Sequence, residues 1–303
     1  MQVMFNEKLD EIVQAIEKNY YDIDEIFFTD PDWHFPSRDG VIKILEKIRR
    51  LLFPRYFGKE MPTGAGPQYF IGDMLSQIER DLQRELTEAF MFRDAKTKTK
   101  EKIQEEVNDI CSEFFYKLPS LHRTLMTDVQ AAFDGDPAAQ SKEEIIFSYP
   151  GFYAVFVYRI AHEFYIHDVP LVPRIMSEYA HAITGVDINP GATIDEYFFI
   201  DHATGVVIGE MTVIGKHVTI YQGVTLGATS TRGGQQLKGV KRHPTVEDDV
   251  VIYSNASVLG GDVVVGKGSV IGGSAFLMQS VEPYSRVSVK NQEVRIANPH
   301  EKK

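Results

Sequence analysis

The chain has almost no cysteine, no long apolar run and no excess of positive charge, and each shortage removes a class of protein. Cys111 is the only cysteine among 303 residues, which excludes an internal disulfide and leads to the expectation of a reducing, cytoplasmic setting. No apolar run approaches eighteen residues and no charged-then-apolar leader opens the chain, so neither a membrane span nor a signal peptide is expected. Lys and Arg number 32 against 43 Asp and Glu, a formal charge of −11, and that sign argues against nucleic acid as a partner. His181, His202, His217 and His243 lack compact ligand spacing and the one cysteine is remote from them, so no metal is expected. A hydrophobic content of 43% is nonetheless ample for a sizeable core, and the length allows two domains.

From Val186 to about Val281 the dominant signal is a period of six. Aliphatic residues fall at Ile188, Ile194 and Ile200, then after a two-residue slip at Ile208, Ile214, Ile220 and Leu226. The series resumes at Val246, Ile252 and Val258, and after a one-residue slip at Val265, Ile271 and Leu277. A helix repeats near 3.6 and a strand at 2, so neither explains the spacing. A period of six is the signature of a parallel β-helix, each unit giving one short flat face with the aliphatic residue inside. Hexapeptide β-helices are as an architecture left-handed and usually trimeric, with sites in the clefts between neighbouring prisms, and a closed head-to-tail ring buries every equivalent surface.

The first 185 residues are patterned as helices. Leu9, Ile12, Val13 and Ile16 mark one apolar face, and Val41, Ile44, Leu45, Ile48 and Leu52 mark another. Between them Asp30-Pro31 and Phe35-Pro36 punctuate a loop holding Trp33, and Met61 to Pro67 reads as a linker. Further helices are predicted over Ile71–Met91, over Ile103–Leu118, after Pro119 over Leu121–Phe133, over Phe152–Ile166, and from Pro173 to about Ile183. Ser141 with Glu144 has the form of a capping box. The predicted fold class is therefore α+β: an all-α domain over 1–185, followed over 186–303 by a left-handed parallel β-helix with an irregular tail.

The coil breaks its own rule twice, and both breaks carry polar residues, as functional sites do. The first is Asp201-His202 at the two-residue slip. Asp187 lies fifteen residues earlier, near one coil of eighteen, so its carboxylate could orient the imidazole as the third member of a triad does. The second is the excursion Gly227 to His243, with Arg232, Lys238, Lys241 and Arg242 and no acid between Ser230 and His243. It reads either as a solvated flap or as an anion site in which Arg242 pairs with a carboxylate.

With those residues in view, the chain from about Leu121 to Ile296 resembles the serine O-acetyltransferases, which make O-acetylserine for cysteine synthesis. Four pieces carry the resemblance: Asp128 to Ala132 with Asp136-Pro137-Ala138; Gly151-Phe152 leading to Tyr158 through His162; Val186 to Ala192 with Asp201 to Gly205; and Val224 to Gly227 through Arg242-His243-Pro244. The resemblance implies that His202 is a general base with Asp187 as its partner. It also implies that Asp136, Asp201, Arg242 and His243 surround L-serine, the arginine on its carboxylate and the two aspartates on its ammonium. Acetyl-CoA would be the co-substrate, near Gly227, Ala228, Ser254 and Gly273 in the cleft between prisms. A homotrimer or dimer of trimers and feedback inhibition by cysteine are further implications. Docking onto O-acetylserine sulfhydrylase uses a tail ending in isoleucine in that family, whereas this chain ends Asn298-Pro299-His300-Glu301-Lys302-Lys303, so that partnership is not expected. Two other readings stand beside this one: an acetyltransferase of the same coil acting on another hydroxyl acceptor, and a non-catalytic trimeric scaffold.

Overall fold

The computed structural model describes residues 2–22, 34–57, 66–230 and 232–290. The predicted loop around Trp33, residues 61–65 of the linker and the tail Asn298 to Lys303 lie outside them. Seven helices come first: α1 (Gln2–Asp22), α2 (Arg38–Leu52), α3 (Pro67–Asp94), α4 (Lys100–Gly135), α5 (Lys142–Ser148), α6 (Pro150–Ile166) and α7 (Val172–Thr184). α1 belongs to a unit of its own, residues 1–35, and residues 36–303 form a second compact unit. No described helix is long and apolar enough to cross a membrane.

The period of six becomes three parallel ladders, one per face of a prism. The first face stacks β1 (Asp187–Ile188), β4 (Val207–Ile208), β7 (Thr225–Gly227), β10 (Ser257–Leu259) and β13 (Phe276–Leu277). The second stacks β2 (Thr193–Ile194), β5 (Val213–Ile214), β8 (Thr245–Val246) and β11 (Val264–Val265). The third stacks β3 (Phe199–Asp201), β6 (Thr219–Tyr221), β9 (Val251–Ile252), β12 (Val270–Ile271) and β14 (Arg286–Val287). The in-phase aliphatics meet one another in register, as in Ile188 with Ile208 and Ile194 with Ile214, and all but the half-buried Leu277 are buried. The predicted helical domain and β-helix are both present.

One expectation fails inside the helices. Pro119 does not divide two segments; α4 runs through it for 36 residues. Leu118 and Leu121 beside it are buried while Pro119 itself is exposed. The carbonyl that proline leaves unpaired, that of Phe115, is therefore on the side where water reaches, and packing of the flanking residues holds the helix together. Ser141 caps α5 as expected by accepting the Glu144 N–H, but the return arm of Glu144 accepts from Gln140 rather than from Ser141. Cys111 is buried in the helical core, and burial pushes its thiol up to about 12, which makes it inert.

α6 is apolar over most of its surface because it is buried on both sides. Phe152, Phe156, Ile160 and Phe164 enter the helical core, while Ala154, Val155 and Tyr158 enter the core of the prism. Between them Arg159 reaches Asp128 of α4 with two hydrogen bonds of 2.6 and 2.7 Å. It also donates to the carbonyls of Ile194 and Asp195 at 3.0 and 2.8 Å. Asp128 accepts the Phe198 N–H, and the Tyr158 hydroxyl donates to the Ala192 carbonyl while accepting the Ile194 N–H. An exposed strand edge would offer these backbone groups to any passing chain; here the helices satisfy them. Asp128→Ala would leave the Arg159 charge buried and unpaired, so it should cost about 3–5 kcal/mol. Urea unfolding of that variant checks the value, and a loss below about 1 kcal/mol, the scale of an exposed pair, would show that the pair does not hold the two parts together.

Candidate functional site

The two-residue slip shapes the corner between the third and first faces. Several other corners of this prism use a single non-glycine residue with positive φ, such as His217 or Asn255. At the slip His202 and Ala203 adopt φ of 55° and 59° in succession, and among the described residues no other pair does so. Left-handed backbone is costly for such residues and persists where the surroundings enforce it. The consequence is an imidazole thrust outward, its side chain 70% exposed beside an Asp201 carboxylate only 14% exposed.

Asp201 accepts the His202 N–H at 2.8 Å and stands 3.9 Å from the imidazole Nε2. Burial raises the pKa of Asp201; the neighbouring His202 opposes that rise and Asp136 adds to it. Asp136, the C-cap of α4, accepts the Tyr149 hydroxyl at 2.6 Å and the Ala138 N–H at 2.8 Å. Asp136, Tyr149, Asp201 and His202 line one cavity of about 250 Å³. Gly151 is required at its floor, since a Cβ there would lie 2.4 Å from the Ile200 carbonyl oxygen. Two carboxylates and a histidine predicted from sequence thus share one pocket, and Tyr149, read from sequence only as a helix break, joins them.

Asp187 opens β1 on the first face. Its ladder partner is Val207, because the slip lengthens this coil beyond the regular repeat, and His202 stands at the corner five residues before that partner. No hydrogen bond or ion pair joins Asp187 to His202 among the described residues; the carboxylate next to the ring is Asp201.

Arg242 and His243 lie on the opposite edge of the first face, where the excursion returns to β8. His243 packs so closely on Gly209 that a Cβ there would lie 2.1 Å from its Cδ2. Its Nδ1 accepts the Met211 N–H at 3.1 Å, which puts the proton on Nε2. Arg242 donates to Glu210 and to the Leu237 carbonyl, and Glu210 accepts the Tyr165 hydroxyl at 2.9 Å. Neither Glu210 nor Tyr165 carried a sequence signal, since one follows a corner glycine and the other ends an apolar helix. The residues expected at the co-substrate divide in the same way. Ser254 and Gly273 stack on the His202 edge, where the Ser254 carbonyl accepts the Ser274 N–H at 2.9 Å; Gly227, at the end of β7, and Ala228 lie on the Arg242 edge.

Burial, then the charges of Arg242 and Lys241, push the pKa of His243 down to about 4 from an ordinary 6.5. Between those values the unfolded chain binds the proton that the native chain refuses. The stability from keeping this ring neutral is therefore full above about pH 6.5 and is lost as pH falls toward about 4. His243→Gln should accordingly narrow the gap between melting temperatures at about pH 7.5 and about pH 5 relative to the unaltered chain. Thermal melts at the two pH values decide it, an unchanged gap counting against the assignment.

Comparison with known proteins supplies the class of chemistry. The family model described as serine acetyltransferase, N-terminal, matches residues 74–156. A plasmid serine acetyltransferase of Synechococcus elongatus is 42% identical over 288 residues, covering 92% of this chain and 90% of that protein. The crystal structure of Entamoeba histolytica serine acetyltransferase 1 in complex with L-cysteine aligns with a TM-score of 0.71 at 34% identity, over 93% of this chain and all of that one. A serine acetyltransferase in complex with CoA aligns with a TM-score of 0.52 at 26% identity, over 82% of this chain and 98% of that one.

Proposed function

The chain belongs to the serine acetyltransferase family, an acyltransferase family, and on that footing we propose that it moves the acetyl group of acetyl-CoA to the hydroxyl of L-serine, with His202 as general base. The observation that carries this reading is the convergence of Asp136, Asp201 and His202 on one cavity. Two carboxylates suit an ammonium group, and an exposed imidazole beside them suits the removal of a nearby hydroxyl proton. Neutral His202 takes the proton from the serine Oγ as that oxygen bonds to the thioester carbon. The tetrahedral oxyanion collapses, the carbon–sulfur bond breaks, and the imidazolium returns its proton to the departing thiolate. The Asp187 side chain, half-buried and with no other hydrogen bond, engages the imidazole in the loaded site and steadies its charged form. L-Cysteine, which the Entamoeba enzyme binds, differs from serine only in its thiol and competes for the same pocket.

The active assembly in this reading is a homotrimer. His202 and Asp201 stand on one edge of the first face, and Arg242 and His243 on the other, so a single prism cannot bring them to one substrate. Head-to-tail packing around a threefold axis sets one edge against the opposite edge of the next prism. Arg242 of a neighbour then exchanges its Glu210 partner for the serine carboxylate, and the co-substrate lies along the same cleft between Gly227-Ala228 and Ser254-Gly273.

Thiol release from acetyl-CoA in the presence of L-serine tests the reaction, and His202→Ala should lower its rate about 10²–10⁴-fold. Serine-independent or absent release overturns the reading. Arg242→Ala should raise the KM for serine sharply. Mixing the two impaired variants during refolding should restore activity at low serine toward about a quarter of the sites, because some clefts then receive both intact edges. No recovery in verified mixed trimers would place both residues in one chain's own site.

A further inference from the structure

Beside the His202 pocket lies a second cavity of about 250 Å³, and the two share Ser148, Tyr149 and Pro150. Arg49 and Glu46 of α2 line it, with Ile146 and Phe147 of α5 and Ile183 of α7. Helical packing does not explain this arginine. Its side chain is only 19% exposed, yet among the described residues none of its N–H groups makes a hydrogen bond. The guanidinium carbon lies 3.5 Å from the Phe57 ring centroid and 4.7 Å from that of Tyr153, so two rings hold it in place. Glu46 stands 3.8 Å from its Nη1, beyond hydrogen-bond reach, and accepts the Tyr153 hydroxyl at 3.1 Å instead. Nε and Nη2, the edge that pairs with a carboxylate through two parallel bonds, have no acceptor, and neither is sealed from solvent. Arg159, by contrast, donates to two carboxylate oxygens and two carbonyls. Withdrawing a guanidinium from water without replacing its hydrogen bonds costs stability; burial accordingly lowers the pKa of Arg49, with Glu46 opposing the fall.

The remaining walls are apolar and partly open. Phe147 is 53% exposed although its ring packs on Tyr56 and Phe57 at 5.2 and 5.5 Å, and Ile183 is 54% exposed. We propose that this cavity binds a small carboxylate with a short aliphatic body, Arg49 taking the carboxylate and Ile146, Phe147 and Ile183 the body, and that Tyr149 carries its occupancy to the serine pocket. An unpaired guanidinium facing aliphatic and aromatic walls matches an amphipathic acid, and the volume lies just below the roughly 300–1,000 Å³ usual for drug-sized ligands. Tyr149 is at once the C-cap of α5 and the N-cap of α6. It lines both cavities, and its hydroxyl donates to Asp136 at 2.6 Å. A ligand packed against Ser148, Tyr149 and Pro150 fixes that turn and with it the Asp136 carboxylate, so occupancy pre-orders the ammonium site and tightens serine. This link, though not the carboxylate site itself, rests on the acetyl-transfer reading above.

Calorimetric titration of the full chain with 4-methylpentanoate tests the site. The acid should bind, while 4-methylpentan-1-ol, which has the body without the charge, and acetate, which has the charge without the body, should each bind at least about tenfold more weakly. Arg49→Met keeps the stem between the two rings and should weaken the acid about tenfold. Ile183→Trp fills the cavity and should do the same; Ile183 is exposed, so this variant keeps the test intact if loss of Arg49 unfolds the helices. Both variants should retain thiol release at saturating serine. The acid should tighten serine about fivefold, and serine should tighten the acid by the same factor, as linkage demands. Tyr149→Phe, which removes the bond to Asp136, should abolish that coupling and leave acid binding in place. No binding of the acid, binding that survives Arg49→Met or Ile183→Trp, or an alcohol that binds as well overturns the site. Acid binding without a change in serine affinity overturns the link through Tyr149. Serine that neither binds nor supports thiol release sinks the acetyl-transfer reading, while the acid's own binding still decides the cavity.

Discussion

The buried pair of Asp128 and Arg159 is the constraint on which the rest of the molecule depends. A β-helix must begin somewhere, and its first coil presents strand-edge carbonyls and N–H groups with no coil before it. Arg159 and Tyr158 accept that role from one helix, and Asp128 accepts it from another while neutralising the guanidinium. A charge buried this deeply is tolerable because every donor used has an acceptor with good geometry. The same contacts fix the helices against the third face. Without them the residues that end α4 and begin α6 would have no defined position over the Asp201 corner, and the pocket would not exist.

The pocket is thus a junction between two kinds of regularity. The helices contribute Asp136 and Tyr149, both at points where one helix stops and another has yet to start. The coil contributes Asp201 and His202 at the place where its period slips. Helix ends and coil defects are where side chains escape the packing that governs the rest of an element, so they are free to face a ligand. The close approach at Gly151, where only a hydrogen fits beside the Ile200 carbonyl, brings the two together.

A prism has edges, and the edges divide the labour. On one lie His202, Asp201 and the stacked rings of Tyr221 and Tyr253; on the other lie Arg242, His243 and the basic excursion. His243 is buried, and its Nδ1 already accepts the Met211 N–H. Arg242 is held by Glu210, itself held by Tyr165, which fixes the orientation of the guanidinium. The overall charge of the chain is negative, and the cations of this excursion make the second edge a local exception suited to a carboxylate or a phosphate.

The sequence by itself determined the repeating part of this protein. A side chain every six residues must point the same way if successive units stack, so inward positions were legible from spacing alone, through both slips and the excursion. Helix faces were legible for the same reason. Pro119 was misjudged because the rule against proline within a helix is local, and burial of its neighbours outweighed it. His202 and Asp201 were marked by the slip itself, while Tyr149, Glu210 and Tyr165 sit in positions with no irregularity to betray them. Only the tertiary structure brought the Asp201 carboxylate to 3.9 Å from the His202 imidazole, because the backbone turn at that corner sets where the two side chains meet. It alone put Arg242 a whole face away from His202. Spacing along a chain reports which residues share a repeat, but distance between edges depends on how the repeats wind, and winding is a property of the packed coil.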